Sequence, residues 1–229
     1  MMLRLAPRPR RACVRGFTLI ELLVAVSIMA LMTVMGWRAL DGMALAAGQT
    51  RTHTDAVLTL EAGLAQWVAD LDALIELPHT TAVDWDGRAL RVTRRHSADA
   101  GEGVLVVAWS RAEREGTAQW LRWQSAPIRS RADWKNAWEA AAQWAQNPSD
   151  VARQQEIAIA PMEQWQVYFF RGGSWSNPLS SAASTATPGA GTTVVPDGVR
   201  LVVVTPAPHP LAGRITRDWA RPTLVGSAP

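Results

Sequence analysis

Residues 17–35, Phe17-Thr-Leu-Ile-Glu21-Leu-Leu-Val-Ala-Val-Ser27-Ile-Met-Ala-Leu-Met-Thr33-Val-Met35, are nearly continuous in their apolarity and are followed by Gly36 and Trp37. As a helix, about 20 apolar residues span a hydrocarbon core of roughly 30 Å. The stretch just before it carries Arg4, Arg8, Arg10, Arg11 and Arg15 and no acid. Retention of that cluster on the cytoplasmic side orients the helix N-in, with everything after residue 37 outside. A secretory signal would have a shorter apolar core and a small-residue cleavage site behind it. The run here is longer, and Trp37-Arg38-Ala39-Leu40 is a poor site of that kind.

The chain has 229 residues, 23 Lys and Arg against 20 Asp and Glu, and one cysteine. Without residues 1–16, 18 bases face 20 acids, a net of −2, so the basic character belongs to the N-terminus. The remaining body lacks the electrostatic footprint of a nucleic-acid binder. A single Cys excludes a disulfide scaffold and Cys-rich metal classes, and it is Cys13, inside the basic stretch.

Glu21 is a lone carboxylate within the apolar run. A charge at membrane depth costs about 2.5–3.5 kcal/mol on insertion scales, which makes it a functional candidate. Snorkelling to the interface is the alternative. A cut between Gly16 and Phe17 would create an α-amine one helical turn from Glu21, a natural counter-charge.

At Arg15-Gly16-Phe17-Thr18-Leu19-Ile20-Glu21-Leu22-Leu23-Val24 the sequence resembles the type IV pilin and pseudopilin family. The resemblance implies cleavage after Gly16 by a membrane-embedded prepilin peptidase and N-methylation of Phe17. It further implies that Glu21 pairs with the N-terminal amine of a neighbouring subunit during assembly.

Beyond Trp37 a stripe of Val57, Leu60, Leu64, Trp67, Leu71 and Leu74 alternates spacings of 3 and 4, the mark of one helical face. Pro78 is a plausible stop. The expected organisation is a leader, 1–16, a membrane-spanning half-helix, 17–37, an amphipathic stalk, 38–77, and a β-rich head, 78–229. Strands are expected at 89–95, 103–109, 119–124, 165–170, 199–204 and 213–219, the last two as a closing hairpin. One internal helix is expected over about 133–146, with Trp134, Ala137, Trp138, Ala141, Trp144 and Ala145 on one face and Ser130 as its cap. The small polar stretch 180–193 predicts a flexible surface loop. The fold class is therefore α+β, a long N-terminal helix packed on a mostly antiparallel sheet.

Catalytic and metal signatures are weak. His53, His79, His96 and His209 are scattered, and Asp84-Trp-Asp-Gly87 lacks the later ligands of a calcium loop. Gly172-Gly-Ser-Trp-Ser176 lacks the last glycine of a nucleophile elbow. The expectation is no enzyme, no cofactor and no metal. Twelve Trp are the compositional excess. Core and interface packing is the favoured reading, with Trp134, Trp138, Trp144 and Trp175 as candidate interface residues; stacking on a sugar is the rival.

Leu90-Arg-Val-Thr-Arg94, Trp120-Leu-Arg-Trp123, Trp165-Gln-Val-Tyr-Phe-Phe170 with Trp175, and Pro196-Asp-Gly-Val-Arg-Leu201 before Gly213-Arg-Ile215 are similar to the minor pseudopilin J family of type II secretion. That resemblance implies a periplasmic head on an inner-membrane anchor. It implies minor pseudopilins I and K and the major pseudopilin as partners, at the tip of a pseudopilus that moves folded proteins across the outer membrane. The alternatives are a minor pilin of a type IV pilus, serving initiation, adhesion or motility, and a membrane-anchored carbohydrate-binding protein.

Overall fold

The computed structural model describes residues 16–96, 100–180 and 195–222. The expected leader, apart from Gly16, and the expected loop at 180–193, apart from Ser180, lie outside them. The chain divides into two compact units, residues 1–51 and 52–229. One 54-residue helix, α1 (Leu19–Asp72), runs through the division.

In the first unit the helix is exposed along its whole length, and it is long and apolar enough to cross a membrane. Its two hydroxyl side chains inside the apolar run are satisfied locally. Ser27 Oγ donates to Leu23 O at 2.8 Å and Thr33 Oγ1 to Met29 O at 2.8 Å. Back-bonding of this kind lets a hydroxyl sit in hydrocarbon without an unmet donor.

The second unit is the head. Its strands are β1 (Val83–Trp85), β2 (Ala89–Arg95), β3 (Val104–Arg114), β4 (Thr117–Gln124), β5 (Glu156–Pro161), β6 (Gln164–Arg171), β7 (Ser174–Ser176), β8 (Gly198–Thr205) and β9 (Gly213–Ala220). Two helices, α2 (Arg131–Gln146) and α3 (Asp150–Gln154), separate β4 from β5. The strands form two antiparallel sheets, not the single one expected: five strands in the order β1-β2-β3-β4-β5, and four in the order β7-β6-β8-β9. Two of the hairpins close through two-residue turns with positive φ at both positions, Glu115-Gly116 and Gly172-Gly173. That geometry matches the right-handed twist of paired strands.

Alternation along the strands places side chains on opposite faces. Leu90, Val92, Val107, Trp109 and Trp120 join Leu60, Trp67 and Leu71 of α1 and Val167, Phe169, Val199, Leu201, Val203 and Trp219 of the second sheet in one core. The intervening residues Val106, Ala108, Leu121 and Trp123 face the other way and meet Trp134, Ala141 and Trp144 of α2. The five-stranded sheet is thus covered on both faces. Helix α2 starts at the expected cap: Ser130 Oγ accepts from Asp133 N at 3.1 Å and donates to Asp133 Oδ2 at 2.7 Å.

Helix α1 stops at Asp72 rather than at residue 77. The cause is competition from β2, whose outer edge claims the next residues. Arg95 N donates to Ala73 O at 2.8 Å, and Ile75 N donates to Thr93 O at 3.1 Å. Leu74 therefore bridges antiparallel to Arg94 beside the sheet, and Pro78 comes too late to be the stop.

Candidate processing segment and head sites

Gly16, Phe17 and Thr18 precede the first turn of α1 without regular structure. Phe17 is 78% exposed, and nothing lies within 4 Å of where a Cβ on Gly16 would sit. Thr18 and Glu21 form a reciprocal cap. Glu21 N donates to Thr18 Oγ1 at 3.4 Å, while Thr18 N and Oγ1 donate to Glu21 Oε2 at 3.5 and 3.3 Å. The spacing is Thr-x-x-Glu, the capping-box pattern. Here the Glu21 carboxylate is held at the positive end of its own helix, where a negative charge is stabilised. The same spacing was legible in the sequence, but the depth of Glu21 in an apolar run drew attention from it.

Residues 11–37 match the family described as the prokaryotic N-terminal methylation motif. The chain carries that N-terminal methylation motif. A chain of the crystal structure of the GspK-GspI-GspJ complex from the enterotoxigenic Escherichia coli type 2 secretion system is similar at 14% identity. The likeness covers 72% of this chain and 96% of that one, with a TM-score of 0.42. No curated protein matches the chain.

Of the four tryptophans expected at an interface, two lie in the head interior and two are half-buried. Trp134 is 8% exposed and Trp144 1% exposed, so both belong to the head interior. Trp134 Nε1 donates to Thr93 Oγ1 at 2.9 Å, and Trp144 Nε1 to Glu156 Oε2 at 2.6 Å. Both were placed on the correct face of α2, but that face covers the five-stranded sheet. Trp138 and Trp175 are half-buried, each beneath an arginine: the Arg91 guanidinium lies 4.9 Å from the Trp138 ring, and that of Arg200 4.3 Å from Trp175. Trp67, Trp109 and Trp120 are fully buried as well. The aromatic excess is spent largely on the core, which also removes these rings from stacking on a sugar.

The densest polar site of the head was not anticipated. Asp70, fully buried in the last turn of α1, gathers donors from three strands. Its Oδ1 accepts from Arg94 Nη1, from Arg122 Nη2 at 2.9 Å and from Gln66 Nε2 at 2.9 Å. Its Oδ2 accepts from Arg122 Nε at 2.8 Å and Trp109 Nε1 at 2.9 Å. A buried charge is tolerated only when paired and hydrogen-bonded, and this one is met on both oxygens. The signal was available: Arg94 has the strand parity of Leu90 and Val92, and Arg122 that of Trp120.

Nearer the surface, Glu156 takes a bidentate contact from Arg114 at 2.6 and 2.8 Å. Burial pushes the Glu156 carboxyl up, but the hydrogen bonds from Arg114 and Trp144 and the Arg114 charge outweigh it and hold the group below its ordinary value. Asp218 is likewise lowered, by its hydrogen bonds from Arg200. Among the described residues no three His, Cys, Asp or Glu side chains come together as a metal-binding group.

Proposed function

We propose that this chain is a minor pseudopilin of a type II secretion system, most like the J subunit, anchored in the bacterial inner membrane with its head in the periplasm. Its role is structural, at the tip of a pseudopilus that assists export of folded proteins, and it involves no catalysis and no cofactor. The observation that carries the reading is the methylation motif over residues 11–37, running directly into a capped, apolar helix. The loose sequence patterns of the head favour J over the other subunits. Prepilin peptidase cuts after Gly16 and Phe17 is methylated. Glu21 then exchanges its cap for the amine of a neighbouring subunit, and the I and K subunits and the major pseudopilin are the assembly partners.

Intact mass of the protein purified from membranes tests the processing step. Loss of residues 1–16 with gain of one methyl group is expected; retention of the leader in a cell with active peptidase would sink the reading. Co-purification with I and K subunits tests the system, and recovery with type IV pilus components instead would move the assignment to a minor pilin.

A further inference from the structure

Four strands lie at the sheet edges, and they are unequal. β1 and β7 have three residues each. β5 has six, ends in Pro161 and carries a register shift against β4. β9 has eight residues in unbroken register with β8. Just beyond the ladder Arg221 N donates to Asp197 O at 2.8 Å, which fixes the phase: residues 213, 215, 217 and 219 exchange hydrogen bonds with β8. The N–H and C=O groups of Arg214, Thr216, Asp218 and Ala220 therefore point to the open side, and all four residues are exposed.

Beside this edge runs a groove of about 570 Å³, lined on its apolar parts by Leu64, Ala65, Leu211 and Ile215. Arg214 and Arg217 also line it, against a single carboxylate, Glu61. Neither arginine has an ion-pair partner among the described residues, in contrast to Arg200, which Asp218 holds at 2.6 Å. Arg217 shares the face of Ile215 and Trp219, so it stands on the core side of an edge strand. An inward charge there repels an added apolar strand, and it admits one that brings a carboxylate.

We propose that β9 accepts an extended, acid-bearing segment of a neighbouring pilin-type subunit as a fifth strand, with carboxylates set against Arg214 and Arg217. Backbone pairing supplies affinity and the two guanidiniums supply selection. A second copy of this chain fits less well. Paired antiparallel about Thr216, it would set Arg217 diagonally against its counterpart, a like-charge neighbour, and its Asp218 is already bound by Arg200. The identity of the neighbour rests on the function proposed above; the chemistry of the edge does not.

The test uses the full chain in its own membranes, with a photo-crosslinking residue at Ala220 and mapping of the crosslinked peptide. The expected product joins β9 to a segment of the I subunit that carries Asp or Glu beside the crosslink. Thr216→Pro removes an outward N–H but no β8–β9 hydrogen bond. It should lower the yield about tenfold, as should Arg217→Glu, with Arg217→Lys retaining it. The thermal midpoint of each variant checks that the head is intact. Crosslinks only to a second copy, only to lipid, or to a segment without acids would overturn the inference, as would a yield indifferent to Thr216→Pro. Co-purification with I and K that persists without the β9 crosslink overturns this inference alone. Loss of co-purification from the unmodified chain instead overturns the assignment to the J subunit.

Discussion

One carboxylate at Asp70 answers two guanidiniums, an indole and an amide, so its removal leaves several buried donors without an acceptor. Asp70→Asn should lower the unfolding free energy by about 3–5 kcal/mol, the range for breaking a buried ion pair; urea unfolding of the head would measure it. Trp109→Phe should cost more than Trp120→Phe, since Trp109 Nε1 serves Asp70 whereas Trp120 Nε1 has no partner among the described residues. Glu156 gives the pH arm. Its folded value lies below the ordinary 4.5, so its contribution is complete above that value and is lost as pH falls through the lower folded one. The thermal midpoint should drop as pH falls below the ordinary carboxylate value, and Glu156→Gln should flatten that slope. A midpoint in the glutamine variant that falls just as steeply would assign the acid sensitivity to other carboxylates. Residues of this kind were only half legible. Strand parity marks Arg94 and Arg122 as inward, but nothing local shows that α1 brings Asp70 to the same point.

Elements with strong periodicity were the legible ones. β2 was read to the residue, and β4, β6, β8, β9 and α2 to within two, while β3 runs five residues beyond its expected end. β1 and β7, three residues each, are too short for alternation to register, and α3 is a single turn and a half. The end of α1 was misread because a sheet edge overrode the helix, a tertiary effect that no local pattern carries. Gly63 shows the same limit. In the sequence it is a helix-weakening residue; in the fold it sits tight against Ile159 of β5. A Cβ there would lie 2.3 Å from Ile159 Cγ2 and 3.3 Å from the Trp120 ring. Gly63→Val should destabilise the head by about 1–3 kcal/mol despite improving on glycine's backbone entropy. Adding Ile159→Ala should recover part of the loss, because the two changes share one volume. Strictly additive costs would show that the close approach is not the cause.

At the scale of the molecule, residues 52–229 hold the core, both sheets and the polar node, and residues 1–51 hold the anchor. A protein beginning at Asp41 should therefore unfold in one cooperative transition, indifferent to reducing agent, since Cys13 is gone. Its midpoint should also be indifferent to chelator; a large drop would reveal a structural metal. The Asp70 node bears on such a molecule in another way. In the assembly proposed above, the chain would be a subunit under load. Tension drawn along the last turns of α1 would reach Asp70 and pass at once into β2, β3 and β4 through Arg94, Trp109 and Arg122. Three strands would share the strain before any one ladder was unzipped. Under force the node is a rivet, and the head should yield by failing there first, not by peeling from an edge.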